Sequence, residues 1–347
     1  MALLNAIWIS SAVLAAASVA GMSILIVRRV FSDAAAARGE KRRNELEGLF
    51  IRALDGTTEW GGLALSDSDR MMLASIAFDL SKSIRGGTLQ TMEHVLSGIG
   101  VEDALLEALS NPDPRVRRSA INGLSLFDTR RSFDAVWQLL SDPNADIRLL
   151  AARVIVSSSF KFDAKVFCET LELGTAVRSR EVRPIVAALA ERDPDGVLRT
   201  IRASRNPDAR VMLIYGLGRS GKYGMVDDLA DLLSSPNVNE RAESLRALSV
   251  LQHPAAADAV RQALTDPAWE VRAQAAQAAA DIGMTDVAPA LERMLDDEMW
   301  WVRYRAAESL WLLGEQGQRL LLAHSAGSDP AGLVAQLVIA ERTEAAA

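Results

Sequence analysis

The sequence predicts an all-α chain, an α-solenoid of stacked helix pairs led by one transmembrane helix. Three observations carry this. Arginine recurs every thirty-one residues, at Arg117, Arg148, Arg210, Arg241, Arg272 and Arg303, with one beat missed at Ser179 between Arg178 and Arg180. Apolar residues keep the same beat. Leu105, Val136, Leu198, Leu229, Val260 and Leu291 stand twelve residues before each arginine, and Leu124, Ile155, Leu217, Leu248, Ala279 and Leu310 seven residues after it. Self-similarity at a period of this size marks a repeat architecture in which each unit stacks on the next. The third observation is an uncharged apolar run from Ala6 to Val27.

Within a repeat, the clearest unit runs from Ala259 to Gly283. Val260, Ala263 and Leu264 give one i, i+3, i+4 apolar face, and Val271, Ala275, Ala276, Ala279 and Ile282 give a second. Asp266-Pro267 separates them, and proline turns the preceding residue away from helical geometry. Each unit is therefore two antiparallel helices joined by a tight turn. A lone pair cannot bury its apolar face, so neighbours must stack.

These residues resemble a HEAT repeat in its bacterial form, with an Asp-Pro turn, a Val-Arg pair, paired alanines and a terminal Leu-Gly. The pattern reads Asp266-Pro267, Val271-Arg272 and Ala275-Ala276 in one unit, and Val302-Arg303, Ala306-Ala307 and Leu313-Gly314 in the last good one. The resemblance covers Val101 to Gly314. It implies a protein-binding scaffold, and it implies an internal ladder between turn aspartates and helix arginines. The residues six before each arginine are Asn111, Asp142, Ser204, Ser235, Asp266 and Asp297, so the ladder is expected to break in the middle. The arginines are read as structural groups satisfied by the turn rather than as an anion-binding row. Around Phe167 to Val186 the register fails, either because Ser179 replaces the arginine or because Val182-Arg183 is the displaced pair, and a local change of curvature is expected.

The expected organisation is a short segment 1–5, a transmembrane helix 6–27, a basic juxtamembrane linker or helix 28–58, degenerate capping helices 59–100, the repeats 101–319, and a C-terminal cap and tail 320–347. Twenty-two helical residues reach about 33 Å, enough for the hydrocarbon core. Met1 to Asn5 lacks the basic leader of a secretory signal. Arg28, Arg29, Lys41, Arg42 and Arg43 follow the run, so the positive-inside rule orients the amino terminus outward and the repeats into the bacterial cytoplasm, on the inner membrane. The same cluster is a candidate contact for anionic lipid heads. Ala12, Ala16 and Ala20 form a small-residue row that permits self-association of anchors.

Chemistry-bearing constellations are not found. Gly216-Leu217-Gly218-Arg219-Ser220-Gly221-Lys222 resembles a phosphate loop in letters only, because it falls at the end of a helix instead of following a strand. His94, His253 and His324 lack metal-ligand spacing. Cys168 is read as a packed core thiol. No enzyme activity, cofactor or metal is expected. Residues 1–54 hold seven basic and four acidic groups, leaving 31 and 41 in the rest, a net of minus ten that disfavours nucleic acid.

The expected function is a membrane-tethered cytoplasmic scaffold for an unidentified protein partner. The alternatives are an enzyme similar to the HEAT-type bilin lyases, or an accessory or sensor subunit of a membrane signalling or polysaccharide-synthesis system. The candidate partner-binding residues are Trp269, Trp300, Trp301 and Tyr304. Aromatics make up only 5% of the chain yet crowd its last two good repeats. Trp269 and Trp300 share a phase, where earlier repeats carry Pro114, Ala145, Pro207 and Val238. They either pad the C-terminal core or form an exposed edge, and the sequence leaves both open.

Overall fold

The structure, a computed structural model, describes residues 21–23, 25–26, 28–29, 33, 37–57, 64–83, 87–173 and 181–344. Among them every regular element is a helix. The apolar run 6–27 lies almost entirely outside the described residues, as do Arg178, Ser179 and Arg180. Among the described residues, no helix is long and apolar enough to cross a membrane. The chain divides into two units, Met1–Ala135 and Val136–Ala347.

In the first unit, α1 (37–54) buries Leu46, Phe50 and Ala53, an i, i+4, i+7 stripe. Of the two forms expected for 28–58, linker or helix, residues 37–54 take the helix. Its basic residues pin it to α2 (Asp67–Ser81), through Arg42 on Asp69 at 2.8 and 3.1 Å and Arg43 on Asp79 at 3.0 Å. α2 starts from a capping box in which Ser66 and Asp69 satisfy each other's backbone N–H groups. α3 (Gly87–Gly98), α4 (Val101–Ala108) and α5 (Pro114–Leu124) follow, and α2, α4 and α5 enclose Leu73, Leu105 and Ile121. The unit closes within α6 (Arg130–Gln138).

The second unit carries the regular stack. α7 (Ala145–Ser157), α8 (Ala164–Thr170), α9 (Val182–Arg192) and α10 (Pro194–Ala203) are followed by α11 (Pro207–Arg219), α12 (Val226–Asp231) and α13 (Val238–Leu251). α14 (Ala257–Ala263), α15 (Trp269–Ile282), α16 (Ala288–Arg293), α17 (Trp300–Leu312), α18 (Glu315–His324) and α19 (Pro330–Glu344) complete it. The longer second helices α11, α13, α15 and α17 pack side by side, and each is backed by the shorter first helix of its own pair. Turn chemistry repeats with the period. Asn144, Asn206 and Asn237 cap α7, α11 and α13 through their side-chain oxygens. α15 and α17 lack such a cap, but keep the turn bond two residues back that the capped repeats also make: Asp266 accepts from the Ala268 N–H at 2.8 Å and Asp297 from the Met299 N–H at 2.9 Å, as Asp142 does from the Asn144 N–H.

Five of the six arginines of the period reach back to their own turn, and Arg210 turns to Glu240 instead. Arg117, Arg148, Arg241, Arg272 and Arg303 donate Nη1–H to the carbonyl six residues upstream, at 2.7–2.9 Å. A carbonyl is present whatever the side chain, so this clamp survives at Asn111 and Ser235. The second guanidinium edge reaches forward: Arg241 forks onto Asp266, and Arg272 onto Asp297. The expected gap at Ser235 does not occur. Glu240 lies there, 4% exposed in its side chain, and accepts from Arg210 at 2.8 Å and from the Ser235 hydroxyl at 2.7 Å. The missing carboxylate is supplied from the next helix rather than from the turn.

Around the irregular unit, α9 packs along α11 but meets α7 more sparsely. Arg192 bridges that place, donating to the carbonyls of Val156, Ser158 and Phe160 and lying over the Phe162 ring at 5.0 Å. Val182 is buried at the start of α9, and Arg183 is exposed with its guanidinium over Tyr215. The carbonyl six residues before Arg183 belongs to Val177, outside the described residues.

Gly216 and Gly218 lie inside α11 and are packing glycines. A Cβ on Gly216 would stand 2.7 Å from the Val186 carbonyl of α9, and one on Gly218 would stand 2.6 Å from Ala247 of α13.

Candidate functional site

The aromatic residues singled out in the sequence are placed by the turns just described. α17 begins on Trp300 and Trp301, with Met299 at its N-cap. Trp300 is 40% and Trp301 51% exposed. The Trp300 ring stacks on Tyr304 one turn later, at 5.1 Å and 17° between planes, and Trp301 meets Trp300 edge-on at 4.7 Å and 80°. Offset-stacked and edge-to-face pairs are the favoured aromatic geometries. Three rings thus hold one another in fixed positions at the surface.

Tyr304 is anchored from the other side. Its hydroxyl donates to Glu341 of α19 at 2.9 Å, and burial together with the nearby carboxylates pushes its pKa up to about 12. The cluster is therefore fixed to the end of the stack and has no ionisable group of its own near neutrality. Trp269, the fourth proposed residue, is half-buried at the start of α15 and joins no ring contact with the other three among the described residues. Exposed Leu312, Leu333 and Leu337 add apolar surface on α17 and α19.

The basic candidates divide. Arg42 and Arg43 are engaged by Asp69 and Asp79; the hydrogen bond from Arg42 holds the Asp69 carboxyl well below the usual range, against the opposing effect of burial. Arg28, Arg29 and Lys41 are exposed, Arg29 at 3.9 Å from Asp33. Arg42 and Arg43 act on the fold, a role that only their long-range acidic partners reveal.

Other chemistry-bearing residues have local roles. Cys168 is buried, and burial pushes its thiol up to about 12, which makes it a core group. His253 caps a turn by accepting the Ala255 N–H at 3.2 Å, and its ring lies against Tyr223. His324 lies 3.3 Å from Glu292, and His94 is exposed. Among the described residues no group of His, Cys, Asp and Glu is arranged to hold a metal ion.

The HEAT-repeat family model matches residues 72–156, 102–204, 195–278 and 257–341, together most of the chain. This is a HEAT-repeat protein. Solved structures similar to it include an engineered protein, at 16% identity over 86% of this chain and 93% of that one, TM-score 0.36. YibA of Escherichia coli is 16% identical over 76% and 93% of the two chains, TM-score 0.39. The complex of CpcE and CpcF of phycocyanin lyase from a Nostoc species is 18% identical over 82% and 97%, TM-score 0.28. No curated protein matches the chain in sequence. HEAT-repeat proteins generally mediate protein–protein interaction, and in this HEAT chain the aromatic cluster lies at the start of α17, against which the last helix, α19, packs.

Proposed function

We propose that this HEAT-repeat protein is a membrane-tethered scaffold that holds a partner protein against the edge formed by Trp300, Trp301 and Tyr304. The observation that carries the reading is the preorganised cluster of three rings, two of them 40% and 51% exposed. Rings already locked together lose little conformational freedom on binding, and buried aromatic anchors commonly dominate interface energies, at about 2 kcal/mol or more each on truncation. The partner side chain that suits this edge is apolar, inserted beside Trp301.

The tether is the apolar run 6–27, supported by its length, its lack of charge and the basic residues after it. Met22, Leu25 and Ile26, at its end, are helical and exposed, as residues facing lipid would be. The repeats then lie in the cytoplasm and act by binding, without catalysis. A photo-crosslinking residue in place of Trp301, in the full chain in cells, tests the edge. The reading expects one dominant adduct that is absent when the same residue replaces exposed Asn239. Equal labelling at both positions would remove the edge as a docking surface. Alkaline phosphatase fused after Ala347 tests orientation: periplasmic activity would contradict a cytoplasmic partner.

A further inference from the structure

A second surface lies on the exposed side of α9, α11 and α13, away from the aromatic edge in sequence. It is a groove of about 520 Å³ lined by Arg183, Tyr215, Arg219, Arg246 and Val250, with Gly218 among its lining residues. The thirty-one-residue register shows what is unusual there. Positions equivalent to Tyr215 and Arg219 are Gln277 and Asp281 in α15, which bond each other at 3.0 Å, and Glu308 and Leu312 in α17, where Glu308 takes both Arg305 and Arg342. Further along, polar groups are therefore mutually satisfied. In the groove two arginines stand outside such pairing. Its carboxylate, Glu243, is occupied by Arg246 at 2.7 Å. Arg183 and Arg219 have no carboxylate partner among the described residues, and both lie over the Tyr215 ring, at 5.0 and 5.9 Å.

Two like charges gathered on one ring repel each other, and in a chain of net charge −7 they are not part of a generally basic surface. The forked guanidinium fits a carboxylate with two parallel hydrogen bonds. Between them Tyr215 and Val250, the latter 49% exposed, offer apolar contact. Two helix-to-helix steps give a groove about 20 Å long, the span of roughly six extended residues.

We propose that this groove binds an acidic linear segment of a partner protein, its carboxylates held by Arg183 and Arg219 and a neighbouring apolar side chain resting on Val250 and Tyr215. The assignment rests on the reading of the chain as a binding protein, but not on the aromatic edge. It concerns a peptide and not a nucleic acid, because the groove presents an apolar wall beside isolated cations instead of a continuous basic track.

Fluorescence anisotropy with the full chain tests it, using a labelled Glu-Glu-Leu repeat peptide of about twelve residues, twice the groove length. A Lys-Lys-Leu peptide and an oligothymidylate of similar length are the controls. Saturable binding of the acidic probe is expected, weakening as salt rises. The double substitution R183Q/R219Q should reduce its affinity roughly tenfold or more, the scale of losing charge-assisted hydrogen bonds. Val250→Asp, on a different helix, should also weaken it by repulsion, and both variants should melt like the parent because all three sites are exposed. Trp301→Ala should leave probe binding unchanged, so that loss of the edge and loss of the groove are told apart. The proposal is overturned if the acidic probe binds no better than the basic one, if both groove variants bind it like the parent, or if oligothymidylate binds more tightly.

Discussion

Removing one carboxylate from the arginine ladder separates a structural row from an anion-binding one. The pair Arg272–Asp297 is the cleanest rung: it is bidentate, at 2.8 and 3.0 Å, with side chains 14% and 11% exposed. Asp297→Ala removes both bonds and the acceptor of the Met299 N–H. Breaking a buried pair from one side costs about 3–5 kcal/mol, and a lost turn hydrogen bond about 1 kcal/mol. Arg272 nevertheless keeps the Asp266 and Pro267 carbonyls, at 2.9 and 3.1 Å, which brings the expected total to about 3 kcal/mol. Asp297→Asn retains an acceptor for the turn bond and should cost about 1–2 kcal/mol less than the alanine. With Arg272→Met as the other arm, a double-mutant cycle by urea unfolding should return a coupling of about 2 kcal/mol. Because stability in a stacked array is partly local, hydrogen exchange of the Met299 amide should report the same loss. Additivity within about 0.5 kcal/mol would refute the ladder. So would stabilisation by millimolar sulfate that requires Arg272, since that would make the row an anion site.

Three further outcomes follow from the same geometry. Gly218→Ala places a methyl 2.6 Å from Ala247 and should destabilise by about 1–3 kcal/mol in urea, with smaller loss at open Gly224. Gln252 holds a left-handed backbone, φ 52°, where the neighbouring repeats have Gly221 and Gly283, so Gln252→Gly should raise stability by about 0.5–1 kcal/mol, and a fall would contradict the strain. Burial alone would raise the carboxyls of Asp266 and Asp297, but hydrogen bonds from Arg241 and Arg272, the capped amides and the nearby guanidinium charges outweigh it and hold them below the ordinary range. A depressed folded-state pKa means stability that is present above the unfolded value, about 3.9, and is lost as pH falls below it. Melting temperature should therefore drop below about pH 4, and less steeply in Asp297→Asn.

What the sequence makes legible is whatever repeats. The beat of Arg241, Arg272 and Arg303, with Val271 and Val302 before the last two, places the second helices and the core they bury. The filled rung at Ser235 was not read from it, although a signal exists: Glu240 stands immediately before its arginine, where other repeats have Val271 or Val302. A carboxylate in a core position needs a reason, and Arg210 is that reason. Contacts without a period leave no such trace. Arg42 with Asp69, Arg43 with Asp79, and Arg192 with the Phe160 carbonyl join residues some thirty positions apart in irregular segments, where only the folded chain shows who meets whom. The aromatic residues were legible as a cluster in the chain, but not as a surface. Trp269 and Trp300 share a phase, yet the first is half-buried and the second exposed, a difference set by what packs around each and not by local spacing.

The most direct test of the scaffold account is to truncate the edge and measure capture and stability together. Trp300→Ala and Trp301→Ala, in the full chain, should each abolish the dominant cross-linked adduct formed from a photo-crosslinker at Leu312, about 16 Å further along α17, a loss of about 2 kcal/mol in binding. The rings are 40% and 51% exposed and lie outside the core, so the melting temperature should fall by no more than about 2–4 °C, the scale of about 1 kcal/mol in a domain of this size. Intact capture by both variants, or a melting point lowered by many degrees in each, would contradict the account and make the rings part of the fold alone.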